Sequence, residues 1–418
     1  MRPPNSRALF GLIATLPLVL GGCRQAPPAA PVAAPVPVQD LREIPSPAPR
    51  DSGQPNLALG TGGEIYLSWI ETLDSGDPAL KFAVRKDDQW SPPQTITSGE
   101  QLVVNMADFP SLLPLPGSVL AAHWTTFVPH SEGYNVNIAF SRDAGRTWSK
   151  PVIPHRDRNP VEHGFVSLLP APGGGVGVIW LDSRKLSKKN AATAGNAGDV
   201  AMMYTTVSLD AKVGPEVSID NRVCECCQPS AVPTATGILA AYRDRTDQEI
   251  RDISVVRFDG NKWSAPNNVF ADNWKINACP INGPAISAHE NHVVVAWFTA
   301  ANDQPKVEIA FSSDGGTTFS PPIQVDEGNP AGRVGVAVLD SGSAIVSWVS
   351  RGDQADQRVQ VRARQIDPDG TRHPSLLLGT TSSGNFPRLK RSGDSVFFTW
   401  TERTKDQALL AALDFKKN

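Results

Sequence analysis

Two octapeptides, SRDAGRTW at Ser141–Trp148 and SSDGGTTF at Ser312–Phe319, share the pattern S-x-D-x-G-x-T-[WF]. In a turn of this kind the aspartate side chain accepts backbone amides, and the glycine allows a positive φ angle. The aromatic ring can then pack against the strands that the turn connects. We therefore predict that the two aspartates, Asp143 and Asp314, stabilise the fold and are not part of a binding site.

These turns belong to a longer repeat that starts near residue 53. Each unit has an apolar strand ending in an aromatic residue, followed by a polar loop, a third strand, a turn and a fourth strand. The aromatic residues, spaced by 51 to 62 positions, are Trp69, Trp124, Trp180, Tyr242, Trp297, Trp348 and Trp400. Four short strands per unit are typical of a propeller blade, so we predict an all-β propeller with seven four-stranded blades. A six-bladed ring, with one unit as an elaboration, is the alternative.

The last unit is one strand short. It ends near Phe415, after its third strand. Residues 38–44 are predicted to supply the missing fourth strand, which would close the ring and leave no exposed sheet edge there.

The octapeptide pattern resembles the Asp-box of the sialidase (BNR-repeat) superfamily, with weaker copies at Asp87–Trp90 and Asp259–Trp263. The resemblance covers most of residues 53–416. The motifs EHGF, CECC, YRDR and CPINGP resemble those of uncharacterised bacterial lipoproteins with sialidase-like propellers. The resemblance implies a propeller fold and a site directed at carbohydrate.

Enzymes of that superfamily use three arginines to bind a carboxylate, an aspartic acid as the acid, and a tyrosine nucleophile activated by glutamate. The nucleophile is expected in the last blades. The tyrosines of this chain are Tyr66, Tyr134, Tyr204 and Tyr242, so no tyrosine lies where that enzyme pattern requires it. Whether the protein is an enzyme therefore stays open.

The unusual polar residues concentrate in two kinds of loop, those between blades and those between the second and third strands. In a propeller these loops share one face, around the mouth of the central channel, which is the first place to expect a site. The catalytic candidates are Asp108, Tyr134, Glu162 and His163. The ligand-binding candidates are Arg184, Arg243, Arg245, Arg251 and Arg333, because guanidinium groups bind carboxylates through paired hydrogen bonds. The alternative is that these charges only tie the blades together.

Four cysteines remain after Cys23, namely Cys224, Cys226, Cys227 and Cys279. In an exported protein such a set favours two disulfides, with Cys226 or Cys227 bonded to Cys279 and Cys224 bonded to the other. A copper or zinc site and a redox-active dithiol are the alternatives. No other cofactor is expected.

Residues 1–22 have the features of an export signal, with two early arginines and an apolar run too short to span a bilayer. The run ends in Gly21-Gly22-Cys23, which resembles the lipobox of bacterial lipoproteins and implies lipidation of Cys23. Arg24 follows the cysteine, which favours the outer membrane of the cell envelope. Residues 23–50, rich in proline and alanine, are predicted to be a tether, and 51–418 a single propeller domain.

The net charge of −3 is spread along the 418 residues, so there is no basic patch for nucleic acid. A monomer anchored to the membrane by lipid is expected. Three functions remain in view: a hydrolase or lyase acting on an acidic glycan, an envelope propeller that binds a ligand or a protein, and a metal or redox protein built on the cysteines.

Overall fold

The structure is a computed structural model that describes residues 39–171, 173–186, 199–352, 358–402 and 407–414. Cys23 and the predicted signal lie outside these ranges. No helix in the described ranges is both long enough and apolar enough to cross a membrane.

Seven antiparallel sheets make up the fold. Their strands are numbered here from β1 to β28 in chain order. The innermost strands are β2 (Ser52–Leu59), β7 (Ser111–Leu115), β10 (His163–Pro170), β14 (Ser230–Thr234), β18 (Ala285–His289), β22 (Pro330–Val338) and β26 (Arg388–Ser392). The second strands are β3 (Ile65–Thr72), β8 (Val119–Phe127), β11 (Val176–Asp182), β15 (Gly237–Arg243), β19 (His292–Thr299), β23 (Ala344–Arg351) and β27 (Ser395–Glu402).

The outer half of each blade is less regular. The third strands are β4 (Pro78–Lys86), β9 (Tyr134–Ser141), β12 (Val200–Val207), β16 (Ile253–Phe258), β20 (Lys306–Ser312), β24 (Val359–Ile366) and β28 (Gln407–Asp414). The outer strands are β1 (Gln39–Ile44), β5 (Gln89–Trp90), β6 (Gln94–Ser98), β13 (Val217–Val223), β17 (Asn267–Phe270), β21 (Ile323–Gln324) and β25 (Leu376–Thr381). In the second blade the outer position is a single bridge between Ile138 and Val152.

The ring closes as predicted, because β1 pairs antiparallel with β28 and so completes the last blade. Seven blades are confirmed, and the six-bladed alternative is set aside. The first and the last strand of the described residues thus share one sheet.

The aromatic residue of every repeat lies on the second strand of its blade and is buried. The second strands are apolar on both sides because a neighbouring blade covers each face. In β11 all seven residues are buried. One apolar cluster contains side chains of β9 and β11 and shows this stacking of adjacent blades.

The Asp-box turns have the predicted geometry. Asp143 accepts hydrogen bonds from the Thr147 amide at 2.9 Å and from its hydroxyl at 2.7 Å, and these bonds hold the pKa of Asp143 at about 2. Gly145 adopts φ +90°, and an added Cβ would lie 2.3 Å from the Phe82 ring. The turn therefore fixes the glycine against the preceding blade.

Replacing this carboxylate should loosen its blade without touching the channel mouth. We expect Asp143→Ala to lower the melting temperature by about 2–4 °C, measured by calorimetry. The matched substitution Asp314→Ala should behave alike, since Asp314 accepts the same two bonds from Thr318. Loss of ligand binding at unchanged melting temperature would contradict the structural role.

Candidate functional site

The seven innermost strands surround a central cavity of about 730 Å³. The loops between blades, and those between second and third strands, meet at one end of it, which we call the mouth. The Asp-box turns connect third to outer strands and lie at the opposite end. The residues that begin an innermost strand, or come just before it, therefore lie nearest the mouth.

Two phenylalanines and an arginine meet at the mouth. Phe109 and Phe386 line the cavity with their ring centroids 5.8 Å apart. The guanidinium carbon of Arg388 lies 3.7 Å from the centroid of Phe109 and 5.5 Å from that of Phe386. Arg388 is therefore held by aromatic faces, an arrangement that stabilises a cation without supplying an anion.

The guanidinium of Arg388 has no hydrogen-bond acceptor at Nε or Nη2, although both atoms are buried. Burial lowers the pKa of Arg388 to about 9. Among the described residues no carboxylate pairs with it. A buried cation with unused N–H donors is costly for a folded protein, and an anionic ligand group would satisfy it.

Arg333 lies beside the same ring, with its guanidinium carbon 4.6 Å from the Phe386 centroid. Its Nε donates to the Ser383 carbonyl at 3.2 Å, while Nη1 is buried without a partner. Burial, more than the repulsion from Arg351, lowers the pKa of Arg333 to about 10. Two arginines thus share one aromatic platform with donors left over.

Lys390 extends the positive charge along the cavity, two positions beyond Arg388 on β26. Its side chain is exposed to solvent within the cavity. Partial desolvation by the cavity walls, together with the charge of Arg388, lowers the pKa of Lys390. The wall formed by β26 is therefore cationic.

Three of the predicted catalytic residues come together beside this mouth. Asp108 precedes Phe109, Tyr134 begins β9, and Glu162 comes just before β10. Tyr134 and Glu162 form a parallel bridge, and the Tyr134 amide donates to the Val161 carbonyl at 3.2 Å. The side chains are thus supplied by two blade junctions and the start of one third strand.

Asp108 is buried, and neither carboxylate oxygen accepts a full hydrogen bond. Burial raises the pKa of Asp108 to about 7, and the charge of Glu162 adds to the rise. The Phe165 amide and the Tyr134 hydroxyl are close enough to offset part of it. Burial also raises the pKa of both Glu162 and Tyr134. At neutral pH, Asp108 is therefore able to hold or release a proton.

Gly164 makes this arrangement possible. A Cβ at this position would lie 1.9 Å from Asp108 Oδ2 and 2.7 Å from a ring carbon of Tyr134. The glycine of the EHGF motif is therefore explained by the close approach of the acid and the ring.

His163, the fourth catalytic candidate, faces a neighbouring polar cluster. Its Nε2 lies 3.2 Å from Asp157 Oδ2 and 3.7 Å from Asp182 Oδ2, and its ring stacks on His155 at 3.8 Å. Donor atoms of Asp157, His163 and Asp182 lie within 4.8 Å of one another, close enough for a metal ion. However, Asp182 already accepts three bonds from Arg184, one from its amide at 3.0 Å and two from its guanidinium at 2.7 and 2.6 Å. This saturation argues against a metal there.

The predicted ligand role of Arg184 is not supported by its contacts, because Glu216 also accepts from it at 3.2 Å. Arg243 is fully buried and donates to the carbonyls of Asn282, Arg251 and Phe298. Arg243 therefore ties consecutive blades together instead of facing the cavity.

Arg245 and Arg251 are paired in the same region. Glu249 accepts from Arg245 at 2.7 Å and from Arg251 at 3.0 Å, and Glu225 accepts from Arg251 at 2.8 Å. Two of the five arginines proposed from sequence have a buried guanidinium nitrogen without a partner, Arg251 at Nε and Arg333 at Nη1. The other nitrogens of Arg251 are paired with Glu225 and Glu249, whereas among the described residues no carboxylate pairs with Arg333.

Sequence reasoning missed Arg388, Lys390 and the two phenylalanines. One signal was present: Phe109-Pro110 and Phe386-Pro387 both directly precede an innermost strand. Repetition of an aromatic residue at equivalent blade junctions places both rings at the mouth.

The cysteines cluster where the third blade passes to the fourth. Cys226 and Cys279 are at bonding contact, with Cα atoms 6.1 Å apart. Cys224 and Cys227 are buried and unbonded, and their sulfurs lie 3.0 Å apart. This proximity agrees with one of the two pairings left open by the sequence, while oxidation of the second pair stays a prediction.

No protein-family model matches the chain, and no curated protein matches its sequence. Among solved structures it is similar to a protein of unknown function from Dyadobacter fermentans, at 14% identity over 93% of this chain and 100% of that one, with a TM-score of 0.47. A NanB sialidase from Streptococcus pneumoniae gives 9% identity, 90% and 94% coverage and a TM-score of 0.46. An alpha-L-arabinanase from Penicillium chrysogenum, complexed with arabinobiose, is 12% identical over 91% of this chain and 98% of that one, with a TM-score of 0.47.

At these identities and TM-scores the likenesses carry no argument about the site. The fold rests on features of the chain itself, namely seven blades of antiparallel strands and two complete Asp-box turns. The chain has a sialidase-like propeller fold.

Proposed function

We propose that the protein binds an acidic glycan at the channel mouth, with Arg388 and Arg333 receiving a carboxylate or sulfate of the sugar. The observation that carries this proposal is the pair of guanidinium groups held on Phe386 with buried donors unused. Charge-assisted hydrogen bonds to an anion would satisfy these donors, and an uncharged ligand would leave the cations uncompensated.

Hydrolysis of that glycan is a second candidate. It is favoured by Asp108 and Glu162, two carboxyl groups of raised pKa near the mouth. Glycoside hydrolysis commonly requires one carboxyl group that is protonated near neutral pH and a second carboxylate. Asp108 would be the acid. A binding protein without turnover remains the alternative.

Calorimetry with matched sugars tests the proposal. At least one of three acidic sugars should bind: oligogalacturonate, sialyllactose or a sulfated oligosaccharide. Neutral oligosaccharides of equal length should not bind. Equal binding of the neutral sugars, or no binding of any acidic sugar at millimolar concentration, would overturn the proposal. Release of new reducing ends or of an unsaturated product from the bound sugar would distinguish hydrolysis or elimination from binding alone.

We also propose that the propeller is held at the outer membrane through lipid on Cys23, as the lipobox resemblance implies. Incorporation of labelled fatty acid into the wild type, and its loss in Cys23→Ala, tests the anchor separately from the ligand.

A further inference from the structure

The cysteine cluster is not used by the proposed function, although it is a neighbour of the aromatic platform. Cys226 and Phe386 pack against the same apolar cluster, and Asn282 donates to the Cys227 sulfur and accepts from the Arg333 amide. Cys224, Cys226 and Cys227 follow β13, and their sulfurs lie within 4.8 Å of one another. Cys279 comes from the segment before β18. The Cα separation of 6.1 Å between Cys226 and Cys279 is in the range that a disulfide requires.

The four cysteines differ in their access to solvent. Cys224 is 1% exposed and Cys227 is 2% exposed, whereas Cys279 is exposed at the surface. A buried pair of thiols therefore lies directly against a bridge whose far end faces solvent.

The surroundings of Cys224 favour its thiolate. Arg251 Nη1 lies 3.4 Å from the Cys224 sulfur. Burial raises the pKa of the Cys224 thiol, but the hydrogen bond from Cys227 and the charges of Arg243 and Arg251 outweigh it and bring the pKa to about 7. Burial, and the bond with Cys224, raise the pKa of Cys227 well above its ordinary value. Of the two buried thiols, Cys224 is therefore the one that ionises more readily.

We propose that the four cysteines form a thiol–disulfide relay, which moves a disulfide between the buried pair Cys224/Cys227 and the surface pair Cys226/Cys279. The geometry that carries the proposal is a buried pair of thiols within a few ångströms of a bridge with an exposed end. The relay would make the rim a site of exchange with dithiols or disulfides outside the protein.

Each step balances without an added oxidant. The Cys224 thiolate attacks the sulfur of Cys226, which forms a Cys224–Cys226 bond and releases the Cys279 thiolate. Cys227 then gives up its proton, which is taken up by the released Cys279 thiolate, and the Cys227 thiolate attacks Cys224 and releases the Cys226 thiolate. One disulfide and two thiols enter, and one disulfide and two thiols leave. The attacking species in each step is a thiolate.

The test uses the wild-type protein, treated with dithiothreitol where necessary so that the four cysteines hold one disulfide and two thiols per molecule. Free thiols are trapped with N-ethylmaleimide in acid, and the disulfides are mapped by mass spectrometry. We expect both the Cys226–Cys279 and the Cys224–Cys227 isomers. Trapping after brief incubation at pH 6 and at pH 8 should show about tenfold faster exchange at the higher pH, because more Cys224 is ionised. Addition of glutathione disulfide should then consume thiols at Cys279.

Two variants complete the experiment. Cys224→Ser should keep the Cys226–Cys279 bridge and lose the exchange, while Cys279→Ser should form the Cys224–Cys227 bridge on oxidation. A single bridge isomer in the wild type at every pH would overturn the relay. So would stoichiometric copper or zinc on four reduced thiols in protein purified without added metal, because the sulfurs would then be metal ligands.

Discussion

Arg388→Met should weaken binding of the acidic ligand without lowering the stability of the free protein. Charge-assisted hydrogen bonds contribute about 1.5–3 kcal/mol each, so affinity should fall by about 10- to 100-fold. The free protein should melt at the same or a higher temperature, because the substitution removes a buried cation that lacks an acceptor. Calorimetric titration with the acidic sugar and a thermal melt of the ligand-free protein measure the two effects.

Arg391→Met is the matched control, since it removes the same charge from the same strand. Arg391 also lines the cavity, but Asp340 accepts two bonds from it, both at 2.7 Å. Affinity should therefore change far less than in Arg388→Met. Equal loss of affinity in both variants would indicate general attraction by the positive wall and would contradict a specific site at Arg388.

Asp108→Asn should remove most of the loss of stability that the wild type suffers between pH 4 and pH 7. The folded-state pKa of about 7 lies above the ordinary value of 3.8, so folding favours the protonated acid. Its contribution is present in full below pH 4 and is lost as the pH rises to 7, by ~4 kcal/mol. Urea unfolding at pH 4 and pH 8 should show a loss in the wild type that exceeds the loss in the variant by about that amount.

Asp182→Asn provides the contrast, because Asp182 is equally buried but is paired with Arg184 and Trp180. This substitution should destabilise the protein at pH 8, where Asp108→Asn should stabilise it. If the wild type hydrolyses a glycan, Asp108→Asn should also slow turnover by about 10²- to 10⁴-fold. An unchanged pH dependence in Asp108→Asn would mean that the acid is ionised throughout.

The blades could be predicted because their signals are local. The aromatic residue of each second strand and the Asp-box turn repeat within single units, and each specifies its own strand or turn. Closure of the ring could also be predicted, since the last unit lacked one strand and an unassigned segment was available at the other end of the chain. The structure confirms both.

The mouth could be predicted only in part, because its chemistry depends on partners from distant units. Asp108, Tyr134 and Glu162 come from neighbouring parts of the sequence, and the loops gather them. Arg388 becomes unusual only once Phe109 is placed against it, and these two residues belong to opposite ends of the chain.

The alternation of basic and acidic residues likewise could not distinguish a ligand site from a set of ion pairs that tie the blades together. Arg243 and Arg251 occur in a loop with acidic residues, and both interpretations predict this pattern. Only the fold reveals that carbonyl oxygens surround Arg243 and that carboxylates pair with Arg251. The cysteine spacing left the pairings open for the same reason, since Cys279 is supplied by a separate blade junction.

The pairing of β1 with β28 also determines at which end the chain enters the ring. Gln39 is opposite Asp414 in the register, and Asp414 is opposite Ser395, at the end of the ring that carries the Asp-box turns. The chain therefore joins the ring at the end away from the mouth. In the lipid anchoring that we propose, a pull along the chain would therefore be transmitted to the ring through the outer strand of the last blade, at the Asp-box end. The innermost strands at Arg388 and Phe109 would not bear that load directly, because they lie at the inside of the ring and start at its other end.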